Sequence, residues 1–131
     1  MKTSFENFKD DILSVQKDTN FWTGNLSDRW SIGNTPNGGY SMAFAAKAIS
    51  NSLTHKDPLS ISANYLERLD FGESLVKVYP VSESKSMSTA RAELIQDNNY
   101  IHKYSIYSNQ ENHKSMMGFL ISHFAHKQMN Y

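Results

Sequence analysis

The feature that most constrains the fold is an apolar, helix-forming segment that follows directly on a loop of turn-forming residues. The loop, residues 33–40, combines a proline and two asparagines with three glycines. The next segment, residues 41–53, contains neither glycine nor proline, and its alanines give it a high helix propensity. Because Lys47 is its only charged residue, almost every face of this helix is apolar. The sequence therefore predicts a long buried helix that other elements must surround.

The residues after this helix show the pattern of a sheet. Leu59, Ile61, Ala63 and Tyr65 alternate with polar residues, as in a half-buried strand. Similar runs predict three further strands joined by short turns as an antiparallel meander, at residues 75–81, 87–96 and 100–108. One or two short strands are predicted within residues 20–32. A helix and a sheet bury their apolar faces against each other, so we predict the α+β class.

Both ends of the sequence carry apolar residues at helical spacing. Near the beginning, apolar side chains three and four residues apart predict a short amphipathic helix over residues 5–15. In the tail, residues 111–131, the spacing of Met117, Leu120 or Ile121, and Phe124 is also helical. We expect the tail to cover the outside of the sheet or a partner subunit, or to stand where a linker to a second repeat would begin.

Length and composition exclude several classes of protein. A chain of 131 residues has the size of one domain. Lys+Arg and Asp+Glu both number 13, so a zero net charge gives no argument for nucleic acid or an anionic membrane as partner. The absence of cysteine excludes disulfides and thiolate chemistry. No apolar stretch approaches the roughly 20 residues that span a bilayer, and we expect a cytoplasmic protein that needs no cofactor.

Several motifs resemble those of a known family. Trp30 to Gly33, the Pro-Asn-Gly-Gly-Tyr string that opens the helix, Asp57 to Ser60, and Lys85 to Arg91 occur in an order that resembles the thioesterase-like superfamily related to acyl-CoA thioesterase II. The similarity covers residues 20–109. It implies a hotdog fold, in which an antiparallel sheet wraps one long helix, and coenzyme A (CoA) thioesters as ligands. We accordingly expect one hotdog domain over residues 1–131, with its core at about 20–109 and a tail at 110–131.

Two departures from the family bear on activity. Its members usually carry two hotdog repeats, whereas this sequence holds one, which resembles the N-terminal repeat. A lone hotdog domain is expected to form a dimer or a dimer of dimers, with acyl-CoA sites at the seam. In the two-repeat enzymes the acting residues, an Asp on the helix with a Ser or Thr and a Gln on strands, belong to the second repeat. This chain has Ala45, Ala46 and Lys47 in the corresponding part of the helix, so the helix offers no carboxylate.

The start of the helix supplies the candidate catalytic groups. Gly38 and Gly39 would present backbone N–H groups at the positive end of the helix dipole, where a thioester oxygen could be bound. The same Asn-Gly-Gly string also suits a tight turn into a helix, and both interpretations can hold together. Asn37 and Tyr40, which flank the glycines, are candidates for substrate binding.

Other polar residues are weaker candidates. Ser60, Ser62 and Asn64 share one face of a strand, which either lines a ligand seam or faces solvent. Ser88 could contact a ligand, although a polar residue at the start of a strand is a sufficient account. The histidines at positions 113, 123 and 126 lack a further ligand, so we predict no metal site. Hydratase and dehydratase activity is rejected because the required pairing of a histidine with a carboxylate is missing.

The sequence leaves two classes of function open. The leading prediction is an acyl-CoA thioesterase acting as a homodimer. The alternative is a non-catalytic module that binds acyl-CoA or acyl chains, or a subunit that depends on a separate hotdog chain for its acid. The missing helical carboxylate favours the alternative.

Overall fold

The structure, a computed structural model, describes residues 1–96 and the backbone of residues 117–124. Within these ranges the chain forms two helices and eight strands. In chain order they are α1 (Ser4–Asp11), β1 (Ser14–Asp18), β2 (Phe21–Leu26), β3 (Ser31–Ile32), β4 (Thr35–Pro36), α2 (Gly38–Ser52), β5 (Asp57–Tyr65), β6 (Gly72–Glu83), β7 (Met87–Ile95) and β8 (Met117–Phe124). Neither described helix is long and apolar enough to cross a membrane.

Six of the strands form one antiparallel sheet, and α2 packs on one of its faces. The spatial order is β1-β2-β6-β7-β8-β5, while β3 and β4 pair as a separate two-stranded ribbon just before α2. Apolar residues of α2 and of the inward face of the sheet form a single core cluster. The predicted α+β class, with one long helix against an antiparallel sheet, is thus confirmed.

Helix α2 buries one side, six of its fifteen residues, and its other side is only partly covered by the described residues, although its composition predicts burial almost all round. Phe44, Ala45, Ala48 and Ile49 are fully buried, and Lys47 is exposed. The helix begins three residues earlier than the sequence pattern indicates. The reason is the cap at Asn37, whose side-chain oxygen accepts a hydrogen bond from the first turn and so offsets the low helix propensity of the glycines.

The strand predictions are confirmed for three segments, but the predicted meander is wrong. Strands β5, β6 and β7 contain the predicted runs, and β6 pairs with β7 as expected for consecutive strands. Strand β5 does not lie beside β6. It pairs with β8 at the far side of the sheet, so the connection after β5 crosses to another part of the sheet. The predicted strand at residues 100–108 and the turn before it lie outside the described residues.

The helical interpretation of residues 117–124 is also wrong. These residues form β8, which pairs with β7 on one side and with β5 on the other. A short, largely apolar run fits both a strand and a helical period, so periodicity alone does not separate the two. The tail therefore contributes a strand to the sheet instead of packing outside it.

The N-terminal helix is shorter than predicted. Thr3 and Glu6 form a capping box that starts α1, and the helix ends at Asp11. Val15, predicted to be helical, lies in β1, where it pairs with Thr23 of β2. The β-branched side chain of valine suits a strand better than a helix, which is consistent with this boundary.

The packing of α2 on β2 leads to a first prediction, at Gly24. A Cβ atom added to this glycine would lie 2.8 Å from Cζ of Phe44 and 3.0 Å from the carbonyl oxygen of Leu13. We expect Gly24→Ala to lower the free energy of unfolding by about 1–3 kcal/mol, because the buried ring must move. Urea denaturation measures this change. Gly39→Ala is the control, since its Cβ would meet only the side chain of Asn37; equal losses for both variants would contradict the packing described.

Candidate functional site

The candidate site is built around the first turn of α2. The N–H group of Asn37 donates to the carbonyl oxygen of Trp30 (2.7 Å), which ties the N-cap of the helix to the residue that precedes β3. The N–H group of Gly39 donates to Oδ1 of Asn37 (2.8 Å) and is therefore already occupied. Among the described residues, the N–H group of Gly38 has no recorded acceptor. Of the two predicted glycine donors, only the Gly38 amide is available to a ligand.

Gly38 lies in a cleft that we call the Tyr65 cleft. Its volume is about 410 Å³. It lies between the start of α2, the β3–β4 ribbon and the segment that follows β5, and its lining residues are Thr35, Pro36, Gly38, Ser41, Tyr65, Leu66, Glu67, Arg68 and Leu69. The lining thus combines apolar side chains with one carboxylate and one guanidinium group, close to the free amide.

Tyr65 explains why position 38 holds a glycine. Its hydroxyl group donates to the carbonyl oxygen of Gly38 (2.8 Å). A Cβ atom on Gly38 would lie 3.2 Å from that hydroxyl oxygen and 3.3 Å from the ring carbon that bears it. The tyrosine ring thus lies directly against the helix start, and a larger residue at position 38 would displace it.

A second cleft, which we call the Trp30 cleft, lies on the other side of the first turn of α2. Its volume is about 440 Å³, and its lining residues are Phe8, Arg29, Trp30, Ser31, Asn37, Gly39 and Tyr40. Consecutive residues of the helix start therefore line different clefts: Gly38 lines the Tyr65 cleft, and Gly39 lines the Trp30 cleft.

Tyr40, a candidate for substrate binding, has its hydroxyl group engaged within the protein. The hydroxyl donates to the carbonyl oxygen of Asp11 (2.8 Å) and accepts from the N–H group of Ser27 (2.9 Å). Burial raises the pKa of this phenol above its ordinary value. The buried side chain joins α1, the end of β2 and the start of α2, and it has no free hydroxyl to offer a ligand.

Ser60, Ser62 and Asn64 are not brought to the start of α2. All three are exposed on β5, whereas Ile61 and Ala63, which alternate with them, pack against the core. Because neighbouring side chains of a strand point to opposite faces, the three polar residues lie on the face of the sheet that is turned away from α2. They form a separate polar row.

Ser88 lies at the other end of α2. Its side chain is fully buried, and its Oγ lies 2.6 Å from Nδ1 of His55 and donates to Oε1 of Glu83 (3.2 Å). His55 follows the C-terminal end of α2, and a helix of 15 residues is about 22 Å long. The hydroxyl group of Ser88 is thus neither close to Gly38 nor open to a ligand in this structure.

The network around Ser88 leads to a prediction about pH. Glu83 accepts hydrogen bonds from the backbone N–H group and the hydroxyl of Thr54 (3.1 and 2.9 Å). These bonds, and secondarily Ser88 and the nearby imidazole of His55, hold the pKa of Glu83 below its ordinary value. The folded chain therefore keeps this carboxylate ionised at a pH where the unfolded chain binds a proton. Its contribution to stability is present above the unfolded pKa and is lost as the pH falls through the folded pKa.

We expect the free energy of unfolding to decrease between about pH 6 and pH 3, and Glu83→Gln to remove part of that decrease. Urea denaturation at several pH values measures both curves. The curves should differ most at neutral pH and approach each other in acid. Parallel curves over the whole range would contradict the role given to Glu83.

Several residues of the site cannot be recognised from the sequence alone. The sequence predicts a strand that contains Tyr65, and its alternation with Ile61 and Ala63 indicates the side facing α2, but it does not indicate the contact with Gly38. Glu67 and Arg29 carry no such signal, because both are charged residues next to a strand.

Lys47 is the only charged residue of α2, which confirms that the helix carries no carboxylate. Within the described part of the chain, no group of three potential metal ligands occurs.

Comparison with known families identifies a domain type. A family model described as the acyl-CoA thioesterase N-terminal domain matches residues 26–107, which is more than half of the chain. No curated protein matches the sequence.

Solved structures share the fold at low sequence identity. The tesB protein of Mycobacterium avium subsp. paratuberculosis superposes with a TM-score of 0.74 and 18% identity over 94% of this chain and 44% of that one. An acyl-CoA thioesterase II from Mycobacterium marinum gives a TM-score of 0.66 and 11% identity, over 91% and 38%. A Streptococcus mutans UA159 protein solved with acetyl CoA gives 0.63 and 14%, over 85% of each chain. The chain thus spans less than half the length of each of the two mycobacterial proteins.

Proposed function

The chain belongs to the acyl-CoA thioesterase N-terminal domain family and has the hotdog fold, and from this premise we propose that it binds CoA thioesters at the start of α2 and hydrolyses them. The thioester group would lie in the Tyr65 cleft. The observation that carries the proposal is that Gly38 lines this cleft at the N-terminal end of α2 and that its N–H group has no acceptor among the described residues.

The Gly38 amide would stabilise the negative charge that develops on the thioester oxygen. Partial positive charge gathers at a helix N-terminus, and a fixed donor in a cleft costs no reorganisation during the reaction. The hydrogen bond from Tyr65 to the carbonyl oxygen of Gly38 supports this role, because it fixes the peptide that follows Gly38 and holds the ring beside it. Asn37, which caps the helix, would keep the same turn in place.

Glu67 is our candidate for activating the attacking water. It lines the same cleft as Gly38, whereas α2 itself provides only Lys47 as a charged residue. A carboxylate within one water molecule of the reacting carbonyl can act as a general base. Hydrolysis then proceeds by attack of water on the thioester carbon, passage of its proton to the carboxylate, and expulsion of the CoA thiolate, which takes up the proton.

We also propose that the protein acts as a homodimer through β5. This strand is at the edge of the sheet and pairs only with β8 among the described strands, so its second edge is open to another chain. Leu59 and Tyr65 of β5 are about half exposed despite being large and apolar, as is Leu66 immediately after it. In such a dimer, Ser60, Ser62 and Asn64 would contact a ligand only where two copies meet.

Light scattering after size exclusion should give about twice the mass of one chain. We expect Leu59→Lys to raise the dimer dissociation constant by at least about tenfold, because it places a charge at an apolar contact. Val15→Lys is the matched control: Val15 is 62% exposed and Leu59 is 53% exposed, but Val15 lies in β1, at the opposite edge of the sheet. A larger effect of the control would assign the interface to β1 instead.

A non-catalytic acyl-CoA binding module is the second candidate function. The specific observation in its favour is that α2 carries no carboxylate. Such a module would use the same cleft and the same Gly38 amide, but would release the ligand unchanged. A subunit that receives an acid from a separate hotdog chain would behave in the same way when purified alone.

The test of the proposed function is the release of free CoA thiol from a panel of short-chain to long-chain acyl-CoA esters by the purified protein. Hydrolysis that is saturable and that falls in Glu67→Gln supports the hydrolase. Tight binding of an acyl-CoA without thiol release would support the binding module. If the chain neither binds nor hydrolyses any member of the panel, both proposals fail.

A further inference from the structure

The Trp30 cleft has a chemical character that the hydrolysis of a thioester does not explain. It is lined by three aromatic side chains, a guanidinium group and the exposed Gly39, and the thioester carbonyl is placed on the other side of the helix start. Resting on the proposed function, we infer that the Trp30 cleft binds the adenosine phosphate end of the CoA thioester.

The aromatic wall fits a purine ring. The rings of Phe8 and Trp30 meet edge to face, with centroids 5.1 Å apart and an angle of 83°. Tyr40 completes the cluster at 5.9 Å from Phe8. Phe8 and Trp30 are only half-buried, so both keep ring surface exposed in the cleft. Aromatic side chains of this kind bind nucleobases by stacking on their faces.

The charge in the cleft fits a phosphate group. Nε of Arg29 lies 3.1 Å from Oδ2 of Asp11, and this ion pair holds the guanidinium against the cleft wall. A guanidinium has five N–H donors in a planar fork, which suits bidentate contacts with phosphate. The ion pair engages only one of them, and no other partner of Arg29 side-chain nitrogens is recorded in the described part of the chain. The remaining donors are available to an anion, although Asp11 offsets part of the charge.

Asp11 organises this cleft as a positioning residue. Besides pairing with Arg29, its carboxylate accepts a hydrogen bond from Nε1 of Trp30 (2.9 Å), and its carbonyl oxygen accepts one from the hydroxyl of Tyr40 (2.8 Å). One residue thus fixes the cation and two of the three rings. Phe8 and Asp11 both precede residues 26–107, the region that matches the family model, so α1 and its end add a wall to the matched domain.

The two clefts are close enough to be occupied by one elongated molecule. Gly38 lines the Tyr65 cleft, and Gly39 lines the Trp30 cleft. A Cβ atom on Gly39 would meet only Oδ1 of Asn37, at 3.2 Å, so no side chain stands on the backbone between the two clefts. The flexible arm that joins the nucleotide to the thioester in CoA can therefore cross the helix start over Gly39.

Calorimetric titration with adenosine 3′,5′-bisphosphate tests the nucleotide site without requiring any reaction. We expect the wild-type chain to bind this probe, and Arg29→Gln to weaken binding by at least about tenfold. Lys9→Gln is the matched control, because it also removes one positive charge, but at a residue of α1 that does not line the cleft. We expect this variant to change the affinity less than about twofold. Phe8→Ala should weaken binding of the bisphosphate but not of inorganic phosphate, since only the former has a base to stack. Circular dichroism verifies that each variant is folded.

A second comparison separates this inference from the proposed function. Arg29→Gln should weaken binding of an acyl-CoA but not of the corresponding acyl-pantetheine, which lacks the nucleotide. If the wild-type chain binds the bisphosphate through Arg29 yet releases no CoA, the hydrolase proposal fails and the nucleotide site stands. If the chain hydrolyses thioesters while Arg29→Gln and Lys9→Gln affect bisphosphate binding equally, the nucleotide site is wrong and the hydrolase stands. Absence of bisphosphate binding by the wild-type chain also overturns the inference.

Discussion

Replacing Phe44 with alanine is expected to lower the free energy of unfolding by about 3–5 kcal/mol. Phe44 is fully buried in the middle of α2, and its ring fills the space that Gly24 of β2 leaves open. Truncation removes the apolar contacts of the ring and leaves a cavity that the rigid sheet can close only in part. Because α2 carries the candidate site at its first turn, this contact between helix and sheet also sustains the position of Gly38.

Chemical denaturation followed by circular dichroism measures the loss. Phe5→Ala is the matched control, since the same ring is deleted from α1, where it is 70% exposed; its effect should remain within about 0.5 kcal/mol. If the two variants lose similar amounts of stability, or if Phe44→Ala is neutral, α2 is not the centre of the core.

If the chain hydrolyses acyl-CoA as proposed, we expect Glu67→Gln to lower kcat by about 100-fold or more and to leave KM within about threefold. The size of the effect is that of a lost general base, because glutamine keeps the shape of the side chain but cannot accept the proton of water. A change confined to kcat indicates a group that acts mainly in the transition state. Steady-state assays of thiol release provide both constants.

Glu73→Gln is the control for this variant. It removes the same charge from another exposed glutamate, at the start of β6, that does not line the Tyr65 cleft. We expect its kcat to equal that of the wild-type chain within about twofold. A rise in KM without loss of kcat in Glu67→Gln would assign this residue to substrate binding, and another group would have to activate the water.

The sequence predicts the helix and most strands because their signals are local. The alanine-rich composition of α2 and the alternation of Ile61 and Ala63 in β5 depend only on which faces are buried. Pairing across the sheet is a different kind of information. Strand β5 pairs with β8, more than 50 residues later, and nothing within either segment specifies that partner. The short apolar run of β8 also satisfies a helical period, so periodicity alone could not assign it.

The sequence indicates where the candidate site lies but not which of its groups are available to a ligand. The Asn-Gly-Gly string correctly indicates the start of the helix. Which of the two glycine N–H groups is available depends on the side chain of Asn37, which accepts a hydrogen bond from the N–H group of Gly39 but not from that of Gly38. The hydrogen bond of Tyr65 to Gly38 joins residues 27 positions apart. The sequence indicates only a polar residue at the start of a strand for Ser88, whereas the structure places it in a buried network with His55. Burial of a polar side chain depends on hydrogen-bond partners that lie far away in the sequence.

NMR titration of the ¹⁵N-labelled chain with a non-hydrolysable acyl-CoA analogue tests whether a CoA thioester binds with its carbonyl oxygen at the Gly38 amide. We expect the Gly38 amide resonance to show the largest downfield proton shift in α2 and the capped Gly39 amide to shift less. Saturation of binding with no change at Gly38, and with shifts concentrated on Ser60, Ser62 and Asn64, would contradict it and place the ligand on the opposite face of the sheet.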